Sequence, residues 1–575
     1  MVRYFLQQFR ITLHATIAAT VFAAIYCGAP AGNAQCQDAD LLIRHAKIVT
    51  MDDHDRIAET MAVRDGKILA VGTEAELSGC TSKHTAVIDL KGRTILPGLI
   101  DVHTHALDWA KHASRGEIEI GYQDIRSIAE IVERVRRRAG TIRPGEWILG
   151  TGWDEDKLRE HRYMSRANLD AVSPDNPVYL GHRTGHLAVV NTSALRLAKI
   201  TRATPDPQGG VIEKDATGEP TGILKDNAMG LVTHLLPPDP PELEVEAVKY
   251  VSEQALESGL TTIHNISLDP GGMHAYQEAR RRGWLKVRVQ MVPLVSSVLD
   301  AERLAATGLY TGFGDDRLKL GAVKMFADGG MGARTIAIYP PELKGEANPL
   351  GLLVWKSEDM QKAHHLLAGA GWQVVTHAIG DRAIDQVLDS YAAVIRDLKL
   401  KDARFRIAHS GLSTPAIQKR MRELGVIADG NPAFVYWIGS YFARYGPERA
   451  RWAYPAKSYV ENGVVEAAGS DVDVTPMSPW WGIWAAVTRR EAQSGKVLAP
   501  EERIGVRDAL RLYTRNGAYD GFEDKQKGSL EAGKFADFIV VDRDVLTVPA
   551  DELKDVVVLE TFVGGELVYE KAVPR

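Results

Sequence analysis

Apolar and polar positions along this chain fall into short repeating blocks. From Asp40 the blocks are brief and alternating: Leu41-Leu42-Ile43, Ile48-Val49, then Ala62-Val63-Arg64-Asp65-Gly66-Lys67-Ile68-Leu69-Ala70-Val71. Asp65-Gly66 between two such runs predicts a hairpin, because both residues tolerate positive φ. The far end reads the same way. Phe538 to Val541 predicts a strand, and Thr561-Phe562-Val563 and Glu566-Leu567-Val568-Tyr569 flank Gly564-Gly565 as a second hairpin. The two end segments, 35–96 and 525–575, are expected to share one β-sandwich flanking a central domain over 97–524.

The central domain has a different rhythm. Apolar runs at Thr261–Asn265, Val287–Val292, Leu320–Phe326, Gln373–His377, Phe405–His409, Val426–Asp429 and Val465–Asp471 alternate with amphipathic segments of helical length. Such alternation predicts βα units. With Leu96–His105 as the first strand the count is eight, which predicts an α/β fold, a closed (β/α)8 TIM-type barrel with its chemistry at the C-terminal strand ends. An open doubly wound sheet is the alternative. It is disfavoured because ionisable residues end so many of the strands, whereas an open sheet places its ligand at one switch point.

Between the first and second strands the rhythm breaks, and about 107–250 reads as an insertion walling one side of a site. Ser127-Ile128-Ala129-Glu130 is a capping box, followed by Ile131, Val132 and Val135 at helical spacing. Asp154-Glu155-Asp156 reads as a solvated acidic loop. Trp153 and His186 read as pocket-lining residues.

The strand ends carry the candidate chemistry. His103 and His105 are two residues apart at the end of an apolar run, so they point to one side. Two imidazoles on a rigid base can grip one metal ion. Lys324 lies on strand four, His377 ends strand five, His409 ends strand six and Asp471 ends strand eight. A barrel brings all of these to one rim, a donor set suited to zinc or a similar divalent metal. Each residue also has a plain structural reading: His409 as a hydrogen-bonded core histidine, Asp471 as a helix cap, Lys324 as a buried amine. All of them falling at strand ends in one order makes that joint reading a poor one.

Composition narrows the picture. The chain has 575 residues, 45% of them hydrophobic, and a formal net charge of −6. It is long enough for a large domain with accessories, and it has no long basic run suited to nucleic acid. Met1 to Ala34 reads as a secretory signal: Arg3 and Arg10, an apolar Ile11–Cys27 stretch, then Gly32-Asn33-Ala34 for cleavage. The expected location is therefore periplasmic or secreted, with no stable membrane insertion after cleavage; an uncleaved anchor is the alternative. Cys36 and Cys80 are the two cysteines that remain, and an oxidising compartment permits them to form a disulfide.

The motifs Pro97–His105, Val323–Gly329, Thr376–Ala383, Arg406–His409, Gly469–Asp471 and Gly528–Asp537 together resemble the amidohydrolase superfamily. Within it they resemble amidohydrolase family 3, of the YtcJ-like and N-substituted formamide deformylase-like type. One departure stands out. The family usually has Glu before the strand-six histidine and Ala-Gln after it; here Ala408 precedes His409 and Ser410-Gly411 follow. The resemblance implies a metal-dependent hydrolase of carbon–nitrogen bonds other than peptide bonds. It implies one or two ions per chain, His103 and His105 on one, His377 and His409 on the other. Lys324 would be carboxylated as a bridge, and Asp471 would touch the metal and handle protons.

His186 or Arg334 is expected to stabilise the oxyanion. Trp153, His186, Asp328 and Tyr436 are expected to contact substrate. Tyr436, Trp437, Trp480, Trp481 and Trp484, near the rim loops, suggest a small substrate with an apolar or aromatic group. A hydrolytic deaminase of a cyclic amidine and a non-catalytic ligand-binding barrel stay open, as does a homodimeric assembly.

Overall fold

The computed structural model describes residues 38–121, 124–343, 346 and 348–572. The expected targeting segment and Cys36 lie outside these residues. Among the described residues no helix is long and apolar enough to cross a membrane.

A ring of eight parallel strands forms the centre. They are β1 (Leu99–Thr104), β2 (Leu260–Leu268), β3 (Arg288–Pro293), β4 (Leu318–Leu320 and Val323–Phe326), β5 (Val374–Ala378), β6 (Arg406–His409), β7 (Ile427–Gly430) and β8 (Glu466–Ala468). β4 breaks at Gly321-Ala322. Its first half pairs with β3, and its second half pairs with β5. Beyond β8 the ring closes onto β1, where Asp471 N–H donates to the His103 carbonyl at 2.7 Å. Helices such as Pro270–Arg281, Asp381–Leu398 and Pro415–Leu424 follow the strands and bury one apolar face each against them. Inside the ring Ile266, Val292, Ala322, Val375 and Ala408 fill one layer, a packed floor.

The chain ends share one sheet. Thr94–Pro97, immediately before β1, pairs antiparallel with Phe538–Val541. A second sheet, from Leu41–Arg44, Thr60–Arg64, Lys67–Gly72 and Ala86–Asp89, faces it, and Ile43, Val63, Ile95, Phe538 and Phe562 form one apolar cluster between them. The predicted hairpins are present. Asp65 and Gly66 have φ of 52° and 74°, and Gly564 and Gly565 have φ of 62° and 74°, the left-handed pair that a tight two-residue turn needs. This layer is tied to the barrel by Arg288 on β3, whose guanidinium donates to both Asp537 oxygens at 2.7 and 2.9 Å.

After β1 the chain builds a six-stranded sheet spanning Ile118–Glu119 to Pro220–Asp226. Ser127 caps the helix Ile128–Ala139 as its sequence predicts. Trp153 is fully buried in this sheet's own core beside Ile148, Leu180 and Val189, and its indole N–H donates to Leu180 O at 3.1 Å. It is therefore a packing residue, and the expectation that it lines a pocket is corrected. The reading of Asp154 to Asp156 as a solvated loop is corrected too. Asp154 and Glu155 are buried because Arg183, His182 and Arg444 compensate their charge.

Candidate metal centre

A cavity of about 440 Å³ opens over the C-terminal ends of the barrel strands, roofed by the insertion. His105, His377, His409, Asp471, His186 and Asp328 line it. His103 and Lys324 lie fully buried beneath. The donor atoms of His103, His105 and Asp471 are within 4.8 Å of one another. His103 Nε2 and His105 Nε2 are each 3.4 Å from Asp471 Oδ1, and Lys324 Nζ is 3.5 Å from His103 Nε2. The His409 ring lies 4.6 Å from His103 and 4.5 Å from His377. All six expected ligands thus converge on one centre.

Local backbone explains how they do so. His103 and Lys324 face inward by strand alternation. His409 does not: its φ of 68° turns it out of the alternation, so Ala408 joins the apolar floor while His409 faces the cavity. Asp471 has φ of 53°, again left-handed. Such conformations cost a non-glycine residue on the order of 1–3 kcal/mol and persist where surroundings over-determine them.

Outer hydrogen bonds orient three of the imidazoles. His103 Nδ1 meets Asp429 at 3.3 Å, His377 Nε2 donates to Gly329 O at 3.1 Å, and His409 Nδ1 donates to Asn431 Oδ1 at 2.7 Å. Each ring therefore keeps its other nitrogen as a lone pair for the centre. His377 Nδ1 is buried with no hydrogen-bond partner at all. Burial holds His377 and His409 well below the usual imidazole range, hence neutral, as ligands must be. For His103, burial and the Lys324 charge work against protonation, but Asp429 and Asp471 outweigh them. Burial drives the Lys324 amine down to about 8. Burial raises the Asp471 carboxyl, but the His103 hydrogen bond and the surrounding imidazoles hold it far below the carboxylate range.

The remaining expected residues divide. His186 lines the cavity, with Nδ1 2.8 Å from Asp226 Oδ1 and its ring 5.0 Å from His377. Asp328 also lines it, yet its oxygens accept from the N–H groups of Ala337, Ile379 and Gly380, so it braces two rim segments. Burial raises its carboxyl to about 7. Arg334 is corrected: its left-handed φ of 61° and its ion pair with Glu346 at 2.7 Å direct it over the Tyr163 ring, outside the cavity. Tyr436 is corrected as well, since it packs within an aromatic cluster with Trp437, Trp481 and Trp484 away from the cavity.

Asp429, Asn431 and Asp226 were not singled out by sequence. Their signal was weak: polar residues closing apolar runs, with partners that only the fold reveals. Asp154, Glu155 and His182 form a second group of close donors, but Arg183 and Arg444 already neutralise it.

Residues 86–569 match the model of the amidohydrolase family. The chain belongs to the amidohydrolase family. This amidohydrolase is 30% identical to YtcJ of Bacillus subtilis, over 91% of this chain and 98% of that one. It is also 30% identical to an N-substituted formamide deformylase of Arthrobacter pascens, over 93% and 99% of the two chains. A solved metal-dependent hydrolase of Pyrococcus horikoshii superposes with a TM-score of 0.69 at 27% identity, covering 89% of this chain and 99% of that one. The chain is therefore an enzyme acting on carbon–nitrogen bonds other than peptide bonds, and the amidohydrolase takes small-molecule substrates.

The hydrogen bond from His103 generates a prediction. Asp429→Asn should weaken retention of a divalent ion by about 10–100-fold, the usual cost of losing such an outer partner. Titration of the metal-loaded protein with a chelator measures it; unchanged retention would remove Asp429 from this role.

Proposed function

We propose that the cavity hydrolyses a small N-substituted amide, with His103, His105, Lys324, His377, His409 and Asp471 holding one or two divalent ions. The observation that carries this reading is the close approach of the His103, His105 and Asp471 donor atoms, with the His409 ring beside His103 and the His377 ring beside His409. A site rich in imidazole with a single carboxylate suits zinc. When bound, the ion supplies the Lewis acidity that activates water and polarises a carbonyl.

The chain's own groups do the rest. Asp471 takes one proton from the attacking water as its oxygen bonds to the carbonyl carbon. It returns that proton to the nitrogen as the carbon–nitrogen bond breaks, giving a carboxylic acid and an amine. His186, oriented through its Nδ1 by Asp226, is the donor to the carbonyl oxygen. Lys324, buried and readily neutral, adds carbon dioxide with loss of a proton, becoming an anionic carbamate with two oxygen donors; the bare amine cation could ligate nothing. Met229, Leu294, Phe326 and Val354 on the cavity wall favour an apolar or aromatic substituent.

Asp471→Asn should lower turnover of N-formyl or N-acyl amines by about 10²–10⁴-fold without unfolding the protein. A panel of such amides, with amine release followed by chromatography, measures it. Wild-type turnover in that variant would exclude Asp471, and ammonia release from a cyclic amidine without amide turnover would make the enzyme a deaminase. Lys324→Ala should lose metal and regain activity with added short carboxylic acids; full metal content and activity would exclude the carbamate.

The two end sheets serve as one sandwich beside the barrel, and the N-terminal segment directs export and is removed. Cys80 is fully buried, and Cys36, the other cysteine left after cleavage, pairs with it in that compartment. The exported protein should start near Gln35 and show no free thiol when denatured without reductant. N-terminal sequencing and thiol titration decide this, and an intact Met1 or two free thiols would refute the respective claim.

A further inference from the structure

We infer that Arg183, supplied by the insertion, is a positioning residue for Asp471: it pegs the turn that carries this carboxylate to a buried acidic anchor. The inference rests on the proton-transfer role given to Asp471 above. Arg183 follows the strand Val178–His182, and its side chain is 1% exposed. Its backbone N–H donates to Trp153 O at 3.0 Å, which sets its base on the insertion sheet. One arm of the guanidinium reaches Asp154 Oδ2 at 3.4 Å, and the other donates to the carbonyl of Val474 on the barrel rim.

Val474 belongs to the Asp471 turn. Its N–H donates to Asp471 O at 2.7 Å, while Asp471 N–H donates to His103 O at 2.7 Å. Thr475 Oγ1 donates to Ser470 O at 2.5 Å. The turn is thus pinned to β1 at its start and to the insertion at its end. Asp471 occupies a left-handed conformation, which relaxes unless neighbours enforce it. Where its carboxylate points follows from that turn. A planar guanidinium gripped on one side by a buried carboxylate can donate in a second fixed direction, which an ammonium point charge does poorly.

The anchor is itself rigid. Asp154 Oδ1 accepts from Asp156 N–H at 3.0 Å, closing its own loop. Neighbouring Glu155 pairs with His182 at 3.0 Å and with Arg444 at 3.2 Å. This explains why Asp154 is buried despite the desolvation cost: it holds a guanidinium whose other arm works on the active-site side.

Arg183→Lys tests the idea, because it keeps a charge beside Asp154 and loses the fork. The expected variant melts within about 3 °C of wild type, keeps KM within about threefold, and loses about 10–100-fold in kcat, the scale of a small misplacement of a reacting group. In an Asp471→Asn background the same substitution should cost less than about threefold, because the group it positions is already gone. A general structural role would cost the same in both backgrounds. Full kcat in Arg183→Lys, or equal losses in both backgrounds, would overturn the inference. If Asp471→Asn alone leaves turnover intact, the proton-transfer role fails first and takes this inference with it. Should Arg183→Lys not fold, Asp154→Asn, which leaves the guanidinium without its anchor, enters the same two-background comparison with the same expected and overturning results.

Discussion

A fully buried guanidinium governs this barrel. Arg406 on β6 touches no solvent, and it donates to Asp429 on β7 at 2.8 Å and to the Val102 carbonyl on β1 at 2.8 Å. It lies 2.9 Å from Asp520, whose other oxygen faces His264 on β2 at 3.4 Å. Leaving such a charge unmatched would cost several kcal/mol, so the four elements around it must hold their relative positions. Asp429 answers to two groups, Arg406 below and His103 above. Burial opposes its ionisation, yet the Arg406 guanidinium and the hydrogen bond with His103 hold it ionised. The orientation of His103 is therefore inherited from charge balance in the floor.

This dependence explains what could be read from the chain and what could not. The grouping of the candidate residues at one rim was legible because most of them close a run whose alternation or apolar character marks a strand, and eight such runs define a rim. The hairpins were legible because Asp65-Gly66 and Gly564-Gly565 carry their backbone requirement in their identity. Asp429 and Arg406 were not legible as a unit with His103, since their partners lie hundreds of residues away along the chain. Asp154 and Glu155 were misread because an acidic triplet looks solvated until Arg183 and Arg444 are brought beside it. Trp153 and Tyr436 were misread because an aromatic ring serves a core as readily as a pocket. Arg334 was misread because one positive φ sends its side chain away from the cavity.

The insertion, which interrupts the βα rhythm, is more than a wall. Asp226 on its last strand fixes His186 over the centre, and the two glycines after β4 make room for that pair. A Cβ at Gly330 would fall 2.6 Å from the His186 ring, and one at Gly329 would fall 2.6 Å from an Asp226 oxygen. Gly329 also supplies the carbonyl that orients His377. A short glycine segment therefore touches both His377 of the barrel and a polar pair of the insertion.

The left-handed backbone at His409 has an evolutionary side. In a regular strand, neighbours are bound to opposite faces, and an exchange that demands a new direction at one position disturbs the next. Here the histidine owes its direction to its own torsion and to Asn431. The preceding residue is thereby released from any duty to the ligand and answers only to the volume of the barrel floor. Ala408 occupies that released position. A chain built this way can change at the residue beside its candidate centre, and so reshape its interior there, while the histidine keeps its direction.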